Sequence, residues 1–180
     1  RRYLLIKMIK SFCNPKGLCT FVPKFKGMKL KSLYLLLLVL FFSACGEYGK
    51  VMKSSDVMLK YEYGKKYYEE GRYSRSSTLL EEVFPVLRGS SHGEECLYLL
   101  AQSYYQQKDY ISASEYFKTY YTVYPRGEYT ELARYYAAYG LYLESPDPRL
   151  DQTDTYRAMQ QFQDFLEFYP QSDKKESIQN

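Results

Sequence analysis

Tryptophan is absent from this 180-residue chain, histidine occurs once and cysteine four times. A single histidine rules out a metal site built on imidazoles, and four thiols are too few for a disulfide-stapled scaffold. There is no glycine-rich loop of the kind that cradles phosphate. A further absence is regional. Residues 1–44 contain no Asp or Glu, yet hold nine of the 25 Lys and Arg (Arg1, Arg2, Lys7, Lys10, Lys16, Lys24, Lys26, Lys29, Lys31). The formal charge of +4, which by itself points to nucleic acid or a membrane surface, therefore originates in the first quarter of the chain. The remaining 136 residues set 16 basic against 21 acidic side chains, a formal −5. Their basic residues are scattered, which argues against nucleic acid. Tyrosine, by contrast, is abundant, with 21 of 23 lying after residue 44. Apolar residues make up 46% of the chain, which argues against disorder, and the length fits one domain.

Lys29 and Lys31 form a short basic region, Leu33 to Phe42 is apolar throughout, and Ser43-Ala44-Cys45 follows. Ten residues rise only about 15 Å as a helix, half of a hydrocarbon core. Such a run is too short to span a membrane and has the size of the apolar part of a signal peptide. Small residues before a Cys resemble the lipobox of bacterial lipoproteins, with Phe42 standing where Leu is usual. That resemblance implies cleavage before Cys45 and lipidation of its thiol. An ordinary secretory signal with Cys45 as a bystander is the alternative. Residues 1–27 precede Met28 and begin with Arg, so they read as upstream sequence from an over-long gene model; a genuine cationic extension is the other reading. Residues 28–44 are then the lipoprotein signal peptide and residues 45–55 a tether. Glu47 is the one acid just after Cys45, which favours an inward, periplasm-facing anchor.

Beyond the tether the chain repeats. Tyr61, Tyr98 and Tyr135 are spaced by 37 residues, and so are Tyr68, Tyr105 and Tyr142. The small residues Gly64, Ala101 and Ala138 coincide in this register. A second block aligns Ser76, Ala113 and Ala158, then Leu80, Phe117 and Phe162, and closes with Tyr124-Pro125 and Tyr169-Pro170. Apolar and small positions recur at steps of three and four, the signature of amphipathic helices. First helices are expected near 56–70, 94–107 and 131–144, and second helices near 73–87, 110–123 and 155–168. Pro85 falls inside one of these and should kink it or end it early. The insert within Ser145–Thr155, with Pro146 and Pro148, reads as a surface loop. A fixed long period predicts an all-α solenoid of antiparallel helix pairs in residues 56–180, with units near 56–90, 94–127 and 131–170 and a fourth cut short. The pattern resembles the tetratricopeptide repeat, best in Leu97, Leu100, Ala101, Tyr104, Ala113, Phe117 and Pro125.

In a tetratricopeptide solenoid the first helices line a concave groove. On a helical wheel Tyr61 and Tyr68 lie together at the edge of the packing arc, with Lys65 further round on the same side. The expected groove therefore carries Tyr61, Tyr68, Tyr98, Tyr105, Tyr135 and Tyr142, with Lys65, Gln102 and Tyr139 between them. Tyrosine suits peptide binding, since it offers a large amphipathic surface and a hydroxyl. Packing between repeats is the competing reading, and the two are compatible: ring packed, hydroxyl facing the groove. Tyr67 and Tyr104 read as packing residues alone.

Nothing else assembles into a catalytic constellation. His92 sits in a Gly-Ser-Ser-His-Gly loop as a solvated turn residue. The pairs Glu69-Glu70, Glu81-Glu82 and Glu94-Glu95 diverge by about 100° on a helix, so they read as solvated faces and not as acid–base dyads. Cys96 reads as a core thiol. No enzyme activity, metal or cofactor is expected.

A lipobox followed by longer-than-usual tetratricopeptide repeats resembles the BamD family of outer-membrane β-barrel assembly lipoproteins. The residues that carry the likeness are Cys45, Tyr110-Ile-Ser-Ala-Ser-Glu-Tyr-Phe117, Tyr124-Pro125 with Tyr129, and Asp151-Gln152 with Ala158, Phe162, Phe165 and Tyr169-Pro-Gln-Ser172. The resemblance implies a non-enzymatic protein, anchored by lipid at the outer membrane. Its partners would be the barrel-bearing subunit of the assembly complex and unfolded outer-membrane clients. Family members have about five repeats, and this chain stops ten residues after Pro170, so it is expected to be a truncated gene or fragment. Rival readings are a tetratricopeptide lipoprotein scaffolding cell-wall or division enzymes, and a glycan-binding outer-membrane lipoprotein.

Overall fold

The computed structural model describes residues 46–179, and the expected signal peptide together with Cys45 lies outside them. Those residues form eight helices and, among them, no strand: α1 Gly46–Lys53, α2 Val57–Glu69, α3 Tyr73–Leu87, α4 Gly93–Gln106, α5 Tyr110–Val123, α6 Thr130–Leu143, α7 Thr153–Phe168 and α8 Lys175–Gln179. From α2 to α7 each helix packs on the next, and α2 also touches α4. This is the tetratricopeptide-like solenoid that the 37-residue period predicts, in three helix pairs.

Small residues set the close approaches. A Cβ on Gly64 would come within 2.6 Å of Leu80 Cδ2, and one on Gly140 within 3.0 Å of the Tyr110 carbonyl oxygen. Ala101, Ala113 and Ala138 are fully buried. Paired backbones at this range let side-chain hydroxyls reach across. Ser76 Oγ donates to the Gly64 carbonyl at 2.8 Å, and Ser114 Oγ to the Ala137 carbonyl at 2.7 Å. The core between these contacts holds Tyr61, Leu80, Val83, Leu97, Leu100, Phe117 and Tyr120. Cys96 is a core thiol as expected, donating to the Leu80 carbonyl, and burial pushes its pKa up to about 12.

The turn within each of the first two pairs repeats in detail. Gly71 and Lys108 hold the corresponding left-handed position, with φ of 72° and 63°. Gly71 N–H bonds the Tyr68 carbonyl and Arg72 N–H the Tyr67 carbonyl; Lys108 and Asp109 do the same to Tyr105 and Tyr104. Both are Schellman terminations, which satisfy the last helical carbonyls. The next residue differs. Asp109 accepts from Ser112 N–H at 3.1 Å and caps α5, whereas Arg72 gives α3 no side-chain cap.

Two expectations need correction. Residues 46–53, read as part of a tether, are helical: Val51 is buried, and Tyr48 and Met52 pack with Tyr67, Leu79 and Tyr63. Apolar side chains of α1 find a site on the first pair, which a short-range reading of Gly46-Glu-Tyr-Gly-Lys50 does not reveal. Nor does α3 end early at Pro85; it runs on to Leu87. Proline removes one backbone donor in the final turn, while Val83 and Leu87, both buried, hold that turn to the core.

Candidate peptide-binding face

The tyrosines of the first helices fall into two environments. Tyr61 is fully buried, with its hydroxyl donating to Glu95 Oε2 at 2.5 Å and its ring 5.2 Å from that of His92. Lys65 Nζ bonds the other Glu95 oxygen at 2.8 Å and lies 5.4 Å from the Tyr61 ring centre. Burial acts to raise the Glu95 pKa, but the bonds from Lys65 and Tyr61 outweigh it and hold the carboxyl below its ordinary range. Tyr98 is half-buried; its ring stacks on Tyr129 at 4.1 Å and its hydroxyl accepts from Gln102 Nε2 at 3.0 Å. Gln102 itself is 7% exposed. Tyr61 and Gln102 are therefore interior parts of the solenoid, because the adjoining repeat closes over them.

The remaining rungs are more open. Tyr68 meets Tyr73 edge-on, and Tyr105 meets Tyr110 and Tyr136 in the same way at 5.3 and 5.1 Å. Tyr135 stacks on Tyr139 at 5.5 Å, and Tyr139 on Tyr142 at 5.8 Å, with Tyr142 56% exposed. Tyr105 has its pKa pushed up to about 12, first by burial and then by Tyr139 and Tyr136. The 5.1 Å contact of Tyr105 with Tyr136 joins the second repeat to the third. The hydroxyls of Tyr68, Tyr105, Tyr135, Tyr139 and Tyr142 have no hydrogen-bond partner among the described residues, whereas those of Tyr61 and Tyr98 are engaged.

Tyr129 and Tyr136 belong to this aromatic face and were not among the expected groove residues. The 37-residue register passes over Tyr136 because its counterparts are Leu99 and Glu62. Tyr129 corresponds to His92, and the two make the same contact: each ring lies on the Tyr of the preceding repeat, Tyr98 and Tyr61 respectively. Lys174, displaced by the eight-residue insert, continues the series with Nζ 6.0 Å from the Tyr135 ring centre. His92 is thus a half-buried inter-repeat contact and not a solvated turn residue.

Of the acidic pairs, Glu69-Glu70 and Glu81-Glu82 are exposed as expected, while Glu94 and Glu95 are half-buried. Glu94 Oε1 accepts from the Tyr120 hydroxyl at 2.6 Å and from Glu128 N–H at 2.7 Å. Glu81 accepts from the hydroxyls of Tyr104 and Tyr116, whose rings stack 5.2 Å apart. Glu82 pairs with Lys60 at 2.5 Å. Glu94, Glu95 and the exposed Glu81 thus tie neighbouring helices through tyrosine hydroxyls. Among the described residues no group of three or more His, Cys, Asp or Glu could hold a metal ion, and no helix is long and apolar enough to cross a membrane.

The fold defines a helical-repeat protein of tetratricopeptide type. The family model described as outer membrane lipoprotein, YfiO, matches residues 53–180, and the chain belongs to that family. A relative from Aquifex aeolicus (strain VF5), described as "Putative outer membrane protein assembly factor BamD", is 30% identical over 126 residues. The match covers 69% of this chain and 41% of the relative, so the chain spans less than half of that protein's length.

Proposed function

We propose that this chain is a non-enzymatic, lipid-anchored factor of outer-membrane β-barrel assembly, and that the tyrosine face of α2, α4 and α6 holds extended segments of unfolded client proteins. Cys45 carries the lipid in this reading, the domain faces the periplasm, and a barrel-bearing subunit is its partner. Membership of the outer membrane lipoprotein family and the description of the Aquifex relative support the role. The observation that carries the binding face is the row of unpaired hydroxyls on Tyr68, Tyr105, Tyr135, Tyr139 and Tyr142 beside packed rings. An extended segment has unpaired backbone N–H and C=O groups along its length. Rings already held by packing supply apolar contact at little entropic cost, and their hydroxyls can meet those backbone groups. Lys65 is held to Glu95 beside this face.

Site-specific photocrosslinking tests the reading. A photoreactive residue at Tyr105 or Tyr142 should capture unfolded outer-membrane barrel proteins, while one at Val86, 68% exposed on α3, should not. Equal yields from all three positions would count against the face. Recovery of cell-wall or division enzymes without a barrel-bearing subunit would overturn the role. For the anchor, Cys45→Ala should release the protein from membranes, and unchanged detergent-phase partitioning refutes lipidation.

A further inference from the structure

We infer that the outer face of α1 is a docking surface for an anionic lipid bilayer, so that the first helix pair lies against the membrane instead of swinging on a free tether. The inference rests on the lipid-anchor reading above. Three observations lead to it. First, α1 begins at Gly46, immediately after Cys45, and is packed from the start: Val51 is buried, and Tyr48 and Met52 lie on Tyr67, Leu79 and Tyr63. Only three residues, 54–56, then separate it from α2. No loose segment between Gly46 and the solenoid lets the domain move away from the anchor.

Second, the helix is two-faced in charge. At about 100° per residue, Lys50 and Lys53 lie on the side opposite the packed Tyr48, Val51 and Met52. Both are exposed, and neither has an acidic partner among the described residues. The one acid of α1, Glu47, is held at the edge of the packed side by Lys66 at 3.2 Å and by the Tyr63 hydroxyl at 2.8 Å. Along the axis Lys50 and Lys53 stand only about 6 and 10 Å from Gly46. That is comparable with a screening length of about 8 Å in physiological salt, so they feel the field of a charged leaflet at the anchor.

Third, the basic character continues onto the turn beneath. The Arg75 guanidinium covers the Tyr48 ring at 5.0 Å and meets no carboxylate among the described residues. It borders a cleft of about 360 Å³ lined also by Arg72, Tyr73 and Ser74. Arg72 occupies the position where Asp109 caps the next pair, so an acid there is replaced by a cation, which pairs with Glu70 at 3.3 Å and adds no free charge. A chain that is acidic after residue 44 thus places Lys50, Lys53 and Arg75, none with an acidic partner among the described residues, near its proposed point of attachment. Anionic headgroups are the partner this charge fits, each Lys or Arg near such a surface being worth about fivefold in partitioning.

The test uses the mature protein purified from membranes and placed in vesicles of phosphatidylglycerol or of phosphatidylcholine, with a water-soluble amine reagent and mass spectrometry. Labelling of Lys50 and Lys53 should fall at least about fivefold in phosphatidylglycerol relative to phosphatidylcholine, while exposed Lys118 is unchanged. Equal labelling in both lipids overturns the inference, and so does protection that persists in detergent, which would place protein over these lysines. The same purified sample shows by mass whether Cys45 is acylated. If it is not, the anchor reading fails by itself, and vesicle flotation of that unanchored chain still decides the surface. Flotation with phosphatidylglycerol that is lost in Lys50→Gln/Lys53→Gln supports the inference, and flotation that is absent or unaffected by the double substitution overturns it.

Discussion

The Tyr129 ring lies flat on the Tyr98 ring, 4.1 Å between centres and 14° from parallel. The contact joins the residue just before α6 to the middle of α4, across a repeat boundary. His92 on Tyr61 is its equivalent one repeat earlier, and Lys174 over Tyr135 one repeat later. Three chemically different side chains thus occupy one structural role, in which an upright Tyr is covered by whatever precedes the next first helix.

Tyr129→Ala should remove that cover, with a loss of about 2 kcal/mol from ring contact and apolar burial. Tyr129→His, which reproduces the first-repeat contact, should restore part of it. Urea unfolding followed by circular dichroism measures both, and equal stability of the two variants would show that the ring contact is incidental.

Glu94→Ala should destabilise by about 2 kcal/mol, because it strands the hydroxyl of the fully buried Tyr120 together with Glu128 N–H. Glu94→Gln keeps an acceptor and should lose less. A thermal melt of the two variants beside the parent checks the order; a loss in Glu94→Gln as large as in Glu94→Ala would indicate that charge, not acceptance, is what matters.

Lys108 holds φ of 63° where the preceding repeat has Gly71 at 72°. A non-glycine residue pays about 1–2 kcal/mol for that conformation, while glycine adds up to about 1 kcal/mol of unfolded-chain entropy. Lys108→Gly should therefore be neutral to stabilising by about 1 kcal/mol, and Gly71→Ala destabilising by about 1 kcal/mol. The melting temperatures should move in opposite directions, and a clear drop for Lys108→Gly contradicts the strain argument.

Alkaline titration should unfold the protein through its tyrosines. Tyr98, Tyr104 and Tyr105 each rise from 10.0 to about 12, with burial the largest cause. Below pH 10 they are neutral in both folded and unfolded chains, so their contribution is complete. Between 10 and 12 the unfolded chain ionises first, and stability is lost. Tyrosinate absorbance should rise together with loss of helical signal across that window, and Tyr105→Phe should delay both. Complete ionisation with helices intact would refute this. Glu95 has the opposite sense: its lowered pKa supplies stability above its ordinary 4.5 that is lost as pH falls below it, and Glu95→Gln should remove that part of the acid sensitivity.

Periodicity carried much of the architecture. Gly64, Ala101 and Ala138 mark where helices must approach, and the predicted helix near 110–123 coincides with α5. Local pattern determines such elements because helical spacing and small-residue placement are properties of adjacent turns. The Cys45 motif was equally legible as a pattern, though it lies outside the described residues. The face was less so. Tyr61 and Tyr135 occupy one repeat register, yet one is fully buried with its hydroxyl on Glu95, whereas the other is half-buried and its hydroxyl has no partner among the described residues.

What the amino-acid sequence determined alone is a three-pair helical repeat rich in tyrosine, with 44 basic, acid-free residues before an acidic remainder. Tertiary structure decided which tyrosines keep free hydroxyls, that Glu94 and the exposed Glu81 accept from tyrosine hydroxyls, and that residues 46–53 fold onto the first pair. The reason is one of range. Helical periodicity reports which face of a helix is buried, whereas the partner of a given hydroxyl or carboxylate sits 23 to 35 residues away on another helix, and only packing brings the two within bonding distance.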